Sequence, residues 1–211
     1  MALDVTHLRF ALDVRDDYGI TDLSRYLSGA IYPDSRYITR ISRELTHPTD
    51  FDDIPIPKDD DFRKGWETHL IYDEIQLLAL SDIPGMIAGP ISQGSEMWRQ
   101  VTVIKLLQAA FDFQSIDFDA VIGSLCVIET PFGESREAMK RFYSDIRGMY
   151  TGKKEIDPEI FPQFFRNLGL EDDISTDVLE RLERMRVDKK MMETIAGIYD
   201  ETMWLYRERY R

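Results

Sequence analysis

Gly65-Trp66-Glu67-Thr68-His69-Leu70-Ile71-Tyr72-Asp73 lies inside a run from Phe62 to Leu80 that reads as one helix. At about 100° per residue, His69, Asp73 and Gln76 fall within about 60° of one another on that helix. Trp66, Leu70 and Leu77 border this polar stripe on one side, and Tyr72, Ile75 and Ala79 on the other. Glu67 and Glu74 lie roughly opposite and are expected to form the solvent face. A polar stripe walled by apolar side chains is expected to point inward, where an imidazole and a carboxylate need each other, a metal or another partner.

His69 and Asp73, four residues apart, project from one face and suit a single metal ion. All three histidines, His7, His47 and His69, fall in the first third of the chain, so any imidazole ligands must come from there. With Asp34 of Tyr32-Pro33-Asp34-Ser35, these residues make a neutral-imidazole and carboxylate set, His7, Asp34, His47, His69 and Asp73. Such a set suits a divalent transition metal, zinc first, with iron, manganese or nickel as alternatives. Two blander readings compete: a buried His-Asp hydrogen bond without a metal, and residues that simply face solvent.

At 211 residues the chain is long enough for one well-packed domain, and 43% hydrophobic content supports a real core. The net charge of -13 argues against a nucleic-acid binder, because backbone affinity comes from Lys and Arg releasing counterions. The same sign disfavours anionic membrane surfaces. No apolar run approaches the roughly 20 residues that span a bilayer, and Met1 to His7 lacks a basic region followed by an apolar stretch. Membrane insertion is therefore not expected, and a cytoplasmic location follows by default. The one cysteine, Cys126, stands in an apolar run and is expected to be a small buried hydrophobe.

The remaining pattern is helical nearly throughout, which predicts an all-α, single-domain multi-helix bundle over 1–211, with a metal-ligand half (1–80) and a helical C-terminal part (81–211). Thr6 to Arg15 is a first helix carrying His7, ended by Gly19. Thr21 is the expected cap of a second helix through Ile31, which Pro33 closes, so Asp34 stands at a helix boundary. Ser35 to Leu45 reads as a short helix, and Pro48 to Asp61 as a solvated acidic loop without the spacing of a calcium-binding hand. Pro84 to Pro90 is a Gly/Pro-rich connection or a wall of the site. Met97 to Phe113 is expected to be a central buried helix, and Phe118 to Ile128 stays open between helix and strand. Arg136 to Tyr150 and Asp157 to Leu168 are helices. Thr176 to Arg211 holds one broken helix or two. Its stripe of Met192, Ile195, Ala196, Tyr199, Met203 and Tyr206 reads as core or interface, which leaves a homo-oligomer open.

Taken in order, a His on the first helix, Leu27-Ser28-Gly29-Ala30-Ile31-Tyr32-Pro33-Asp34, Thr46-His47 and Gly65-Trp66-Glu67-Thr68-His69 with Asp73 form a pattern. It resembles the N-terminal half of all-helical metal hydrolases related to the zinc-dependent phospholipases C, loosely grouped with HD-domain phosphohydrolases. The resemblance covers roughly residues 5–75 and implies His7, Asp34, His47, His69 and Asp73 as metal ligands in an HD-domain or phospholipase C-like core. It departs from the pattern in two ways: no histidine follows His69, and no His-Asp dipeptide occurs. One metal, or at most two, is therefore expected rather than a trinuclear site.

The function expected is a metal-dependent hydrolase of a small phosphoester, acting through a metal-activated water. Asp73 is the expected catalytic carboxylate. Arg36 and Arg40, at i,i+4 and close behind Asp34, are the expected neutralisers of phosphate oxygens, with surface ion pairing as their alternative. Arg43 is expected to act with them on phosphate oxygens, and Arg63 and Lys64 are weaker candidates for the same role. The competing class is a helical binding or scaffold protein whose ligands hold a structural metal or a buried polar network.

Overall fold

The computed structural model describes residues 3–81, 83, 92, 94–156 and 171–211. In chain order its helices are α1 (Asp4–Val14), α2 (Leu23–Ile31), α3 (Arg36–Thr39), α4 (Arg43–Thr46), α5 (Asp61–Ser81), α6 (Glu96–Gln114), α7 (Phe118–Ile122), α8 (Arg136–Tyr150), α9 (Asp172–Arg186) and α10 (Lys189–Tyr210). The all-α class expected from the sequence is what forms, with no strand among the described residues. The segment left open at 118–128 resolves into α7 followed by turns. The 84–90 loop and the helix expected over 157–168 lie outside the described residues. No helix among the described residues is long and apolar enough to cross a membrane.

The chain divides into two compact units. One comprises Asp4–Leu70 and Phe113–Lys154, the other Met1–Leu3, Ile71–Asp112 and Glu155–Arg211, so two of the boundaries fall within α5 and α6.

In the first unit, the crossing of α2 and α5 is set by two glycines. A Cβ on Gly65 would stand 1.9 Å from the Tyr26 carbonyl oxygen and 2.8 Å from the Ala30 nitrogen. A Cβ on Gly29 would stand 1.9 Å from the Phe62 carbonyl oxygen. The two backbones therefore touch, and any side chain at either position would force them apart. Around this crossing Phe10, Leu27, Phe62 and Trp66 are fully buried. Tyr26 ties α2 to α1 by donating to the Ala11 carbonyl at 2.9 Å, and Tyr143 of α8 donates to the Ser28 carbonyl at 3.0 Å.

The same contact decides a cap that the sequence placed one residue early. Asp22, not Thr21, caps α2, accepting the Arg25 N–H at 3.0 Å. Thr21 turns instead to Asp61 at the start of α5, whose carboxylate accepts its N–H at 2.9 Å, its hydroxyl at 2.8 Å and the Asp22 N–H at 2.6 Å. Gly19 ends the preceding turn in the left-handed region, at φ 57°, as expected.

Three further expectations in this unit are corrected. The helix expected from Ser35 to Leu45 is broken: α3 ends at Arg40, which adopts φ 64° and donates its N–H to the Arg36 carbonyl at 2.9 Å, and α4 starts afresh at Arg43. Arg36 and Arg40 therefore do not share a continuous helix. Cys126 is exposed, because the turn after α7 gives the buried place to its neighbour Leu125. Arg63 is a structural cation: it is buried and donates to the carbonyls of Phe51 at 2.8 Å, Ile54 at 3.2 Å and Ile56 at 2.7 Å, and to Glu67 at 2.8 Å. It thereby holds the acidic loop against α5.

In the second unit, α9 and α10 form the two helices of the tail, separated where Asp188 caps α10 by accepting the Met191 N–H at 3.1 Å. Arg181 of α9 pairs with Glu96 at 2.5 Å and Asp177 at 2.8 Å, and Arg99 of α6 pairs with Asp177 at 3.0 Å. Of the tail stripe, Ile195, Tyr199 and Tyr206 are buried and Met192 and Met203 partly so, but Ala196 faces out. Leu77 on α5 is likewise exposed rather than a wall of the polar stripe.

Candidate metal centre

α1, the turn after α2, and α5 each deliver one donor to a single cluster. His7, Asp34 and His69 lie with their ligating atoms all within 4.8 Å of one another. They are 2%, 5% and 1% exposed. His7 comes from the second turn of α1, Asp34 from the 3₁₀ turn Tyr32–Ser35 that Pro33 starts, and His69 from α5 just beyond the Gly65 contact. The His7 and His69 rings stack with centroids 3.6 Å apart and an interplanar angle of 11°. A tetrahedral ion with ligands at about 2.0–2.2 Å separates its donors by about 3.3–3.6 Å, so the three need approach by no more than about 1.5 Å to share one ion.

The orientation of His69 follows from the helix crossing. Its Nδ1 stands 2.8 Å from the Ala30 carbonyl oxygen, an atom that only accepts, so Nδ1 carries the proton and Nε2 the lone pair. A ligating histidine held by a backbone carbonyl through its other nitrogen is the arrangement that fixes tautomer and ring direction at metal sites. Gly29 and Gly65 matter to the chemistry for this reason, since they bring α2 close enough for Ala30 to reach the ring.

His47 follows α4 and presents its ring edge-on to His69, with centroids 5.3 Å apart and an interplanar angle of 77°. Ligating nitrogens of His47 and His69 also lie within 4.8 Å of each other. Its Nδ1 is 2.9 Å from the hydroxyl of Thr46, whose carbonyl accepts the Trp66 indole N–H at 2.8 Å. Asp73 follows His69 by one turn on α5, past the boundary at residue 70, and is buried, as is Gln76. The stripe of His69, Asp73 and Gln76 is thus inward-facing, while Glu74 is exposed and Glu67 is paired with Arg63 at 2.8 Å.

Asp4 is a buried acid on α1, outside the His7–Asp34–His69 group, that senses the charge of Asp34 and that the sequence does not single out. It is buried one turn before His7 on α1, and burial first, then the negative charge of Asp34, push its carboxyl up to about 7. Two carboxyl groups sensing each other in a buried place disfavour joint ionisation unless a cation is present. The i,i+3 spacing of Asp4 and His7 was the available signal.

Of the arginines, Arg36 is half-buried, lies over the Tyr37 ring at 4.0 Å and donates to the Tyr37 hydroxyl. Its Nε is buried with no hydrogen-bond partner among the described residues. Arg40 is exposed at the end of α3, and Lys64 is engaged with Asp61 at 2.8 Å.

The donor set therefore fits a divalent transition metal, with imidazole and carboxylate ligands, a fixed histidine tautomer and a surplus of buried negative charge. Compared with known proteins, the chain matches no family model, no curated protein and no solved structure, and its site rests on its own geometry.

Proposed function

We propose that this protein is a metal-dependent hydrolase of small phosphoesters, with zinc as the first candidate metal. The observation that carries the reading is the buried His7–Asp34–His69 cluster with His69 oriented by the Ala30 carbonyl. The resemblance to zinc-dependent phospholipases C and HD-domain phosphohydrolases supports the same assignment and adds His47 and Asp73 to the ligand set. A metal bound there supplies a water of lowered pKa and polarises a phosphoryl oxygen. The chain's own part is positional. Ala30 and Thr46 hold the His69 and His47 rings, Asp34 and Asp73 supply the negative charge that retains the cation, and Arg36 offers an N–H donor to a phosphate oxygen. Arg40 serves as a second cation from the end of α3. A net charge of -13 repels polyanions, so small substrates are favoured over nucleic acids.

The test is hydrolysis of p-nitrophenyl phosphate and bis(p-nitrophenyl) phosphate by wild type and by Asp73→Asn, with metal content measured in both. Wild type should show activity that depends on added divalent metal, and activity and occupancy should fall together in Asp73→Asn. A metal-loaded wild type that is inactive across a broad phosphoester panel would refute the assignment. It would favour the second reading, a helical scaffold with a structural metal, which the deep burial of His7, Asp34 and His69 supports because structural sites close their coordination.

A further inference from the structure

Within the second unit, α6, α9 and the start of α10 enclose a cleft of about 320 Å³. Val103 of α6, Met185 of α9 and Met191 of α10 give it an apolar wall. Two unbranched thioethers in that wall can shift to fit an apolar ligand. The volume lies at the small end of the range of about 300–1,000 Å³ in which proteins hold small molecules.

Four charged residues line the same cleft, and they fall into two pairs. Glu96 and Arg181 neutralise each other at 2.5 Å. Arg184 and Asp188 do not: neither makes an ion pair among the described residues, although Arg181 and Arg186, on either side of Arg184, both do. The separation has a local cause. Asp188 is four residues beyond Arg184, but α9 ends at Arg186, so the two do not share a helix face, and Asp188 turns to accept the Met191 N–H at 3.1 Å as the cap of α10. Arg184 passes over Glu180, its possible i,i+4 partner, and its Nε donates to the Glu180 carbonyl at 3.3 Å instead. That bond fixes one edge of the guanidinium and leaves the Nη1/Nη2 edge, a flat two-pronged donor that matches a carboxylate. In a chain of net charge -13, an arginine left without a carboxylate on the rim of a cleft is the exception.

We propose that this cleft binds a free α-amino acid with an apolar side chain. The charges left over are one positive and one negative, so they sum to zero and complement a zwitterion better than an anion or a cation alone. Arg184 takes the carboxylate, Asp188 takes the ammonium, and the side chain lies on Val103, Met185 and Met191. All of these residues belong to the second unit, so the site is independent of the metal reading.

The experiment is calorimetric titration of the full-length chain, with and without a chelator, using L-leucine, isocaproate (leucine without its amine), isoamylamine (leucine without its carboxylate) and glycine. Wild type should bind leucine at least about fivefold more tightly than each of the other three, the scale of one charge-assisted contact or one apolar side chain in a partly exposed cleft, and the chelator should change nothing. Arg184→Gln should weaken leucine binding by about fivefold or more and leave isoamylamine unaffected. Asp188→Asn, which keeps a good cap for α10, should weaken leucine binding to a similar extent and leave isocaproate unaffected. Arg186→Gln, which changes an arginine outside the cleft, should bind leucine as wild type does. The proposal is overturned if wild type binds no leucine, if it binds isocaproate, isoamylamine or glycine as tightly, or if Arg184→Gln and Asp188→Asn both keep wild-type affinity.

Discussion

Replacing Gly65 by alanine tests whether the α2–α5 crossing positions the site. The new Cβ would lie 1.9 Å from the Tyr26 carbonyl oxygen, whereas ordinary contact begins near 3.4 Å, so the helices must separate by about 1.5 Å. The obstacle is backbone, and no rotamer change relieves it. Overpacking of this kind costs about 1–3 kcal/mol and sits at the upper end here. Alanine returns about 1 kcal/mol through helix propensity, leaving a net loss of about 2 kcal/mol. For a chain of this size that lowers Tm by about 4–8 °C. The same displacement would stretch the His69–Ala30 contact from 2.8 Å to beyond hydrogen-bonding range, so metal affinity should fall with stability. Thermal unfolding followed by far-ultraviolet circular dichroism, with metal content measured on the same samples, reads both effects. A Gly65→Ala protein as stable as wild type, with unchanged metal content, would refute the reasoning.

Gly197→Ala on α10 is the opposite case, since its Cβ would meet nothing within 4 Å, and the variant should gain about 0.5–1 kcal/mol, read as a higher urea midpoint. At Asp61, burial works to raise the carboxyl, but Lys64, Asp22 and Thr21 together hold it well below the ordinary 3.8. A depressed folded pKa contributes stability above the unfolded value that is lost as pH falls through the folded one. Asp61→Asn should therefore cost about 2 kcal/mol at neutral pH, and its deficit should narrow steadily below pH 3.8, which acid-series unfolding curves would show.

How far the fold was legible follows from which interactions are local. The stripe of His69, Asp73 and Gln76 could be read because helical periodicity repeats through the long helix α5, and its burial is as expected. The cap of α2 was misplaced by one residue because Thr21 and Asp22 are both good caps, and the choice is made by Asp61, 40 positions from Thr21 in the chain. The break at Arg40 carries no glycine or proline to announce it, and the exposure of Cys126 depends on which residue of a turn finds the core. At the site, His7, Asp34 and His69 were nameable because their chemistry belongs to side chains. The Ala30 carbonyl that orients His69 was not, since backbone groups leave no mark in a sequence and become specific only through packing. Asp4 was missed for a related reason: an acid in the sequence looks solvated until the fold shows it buried.

The central claim, that His7, Asp34 and His69 hold a metal, is tested most directly by mass-spectrometric elemental analysis of the purified full-length protein beside its His7→Ala and His69→Ala variants. The account predicts about one equivalent of a divalent transition metal in wild type and loss of most of it in each variant, with far-ultraviolet circular dichroism still helical. Wild type that takes up no metal even after incubation with zinc, or variants that retain full occupancy, would contradict it.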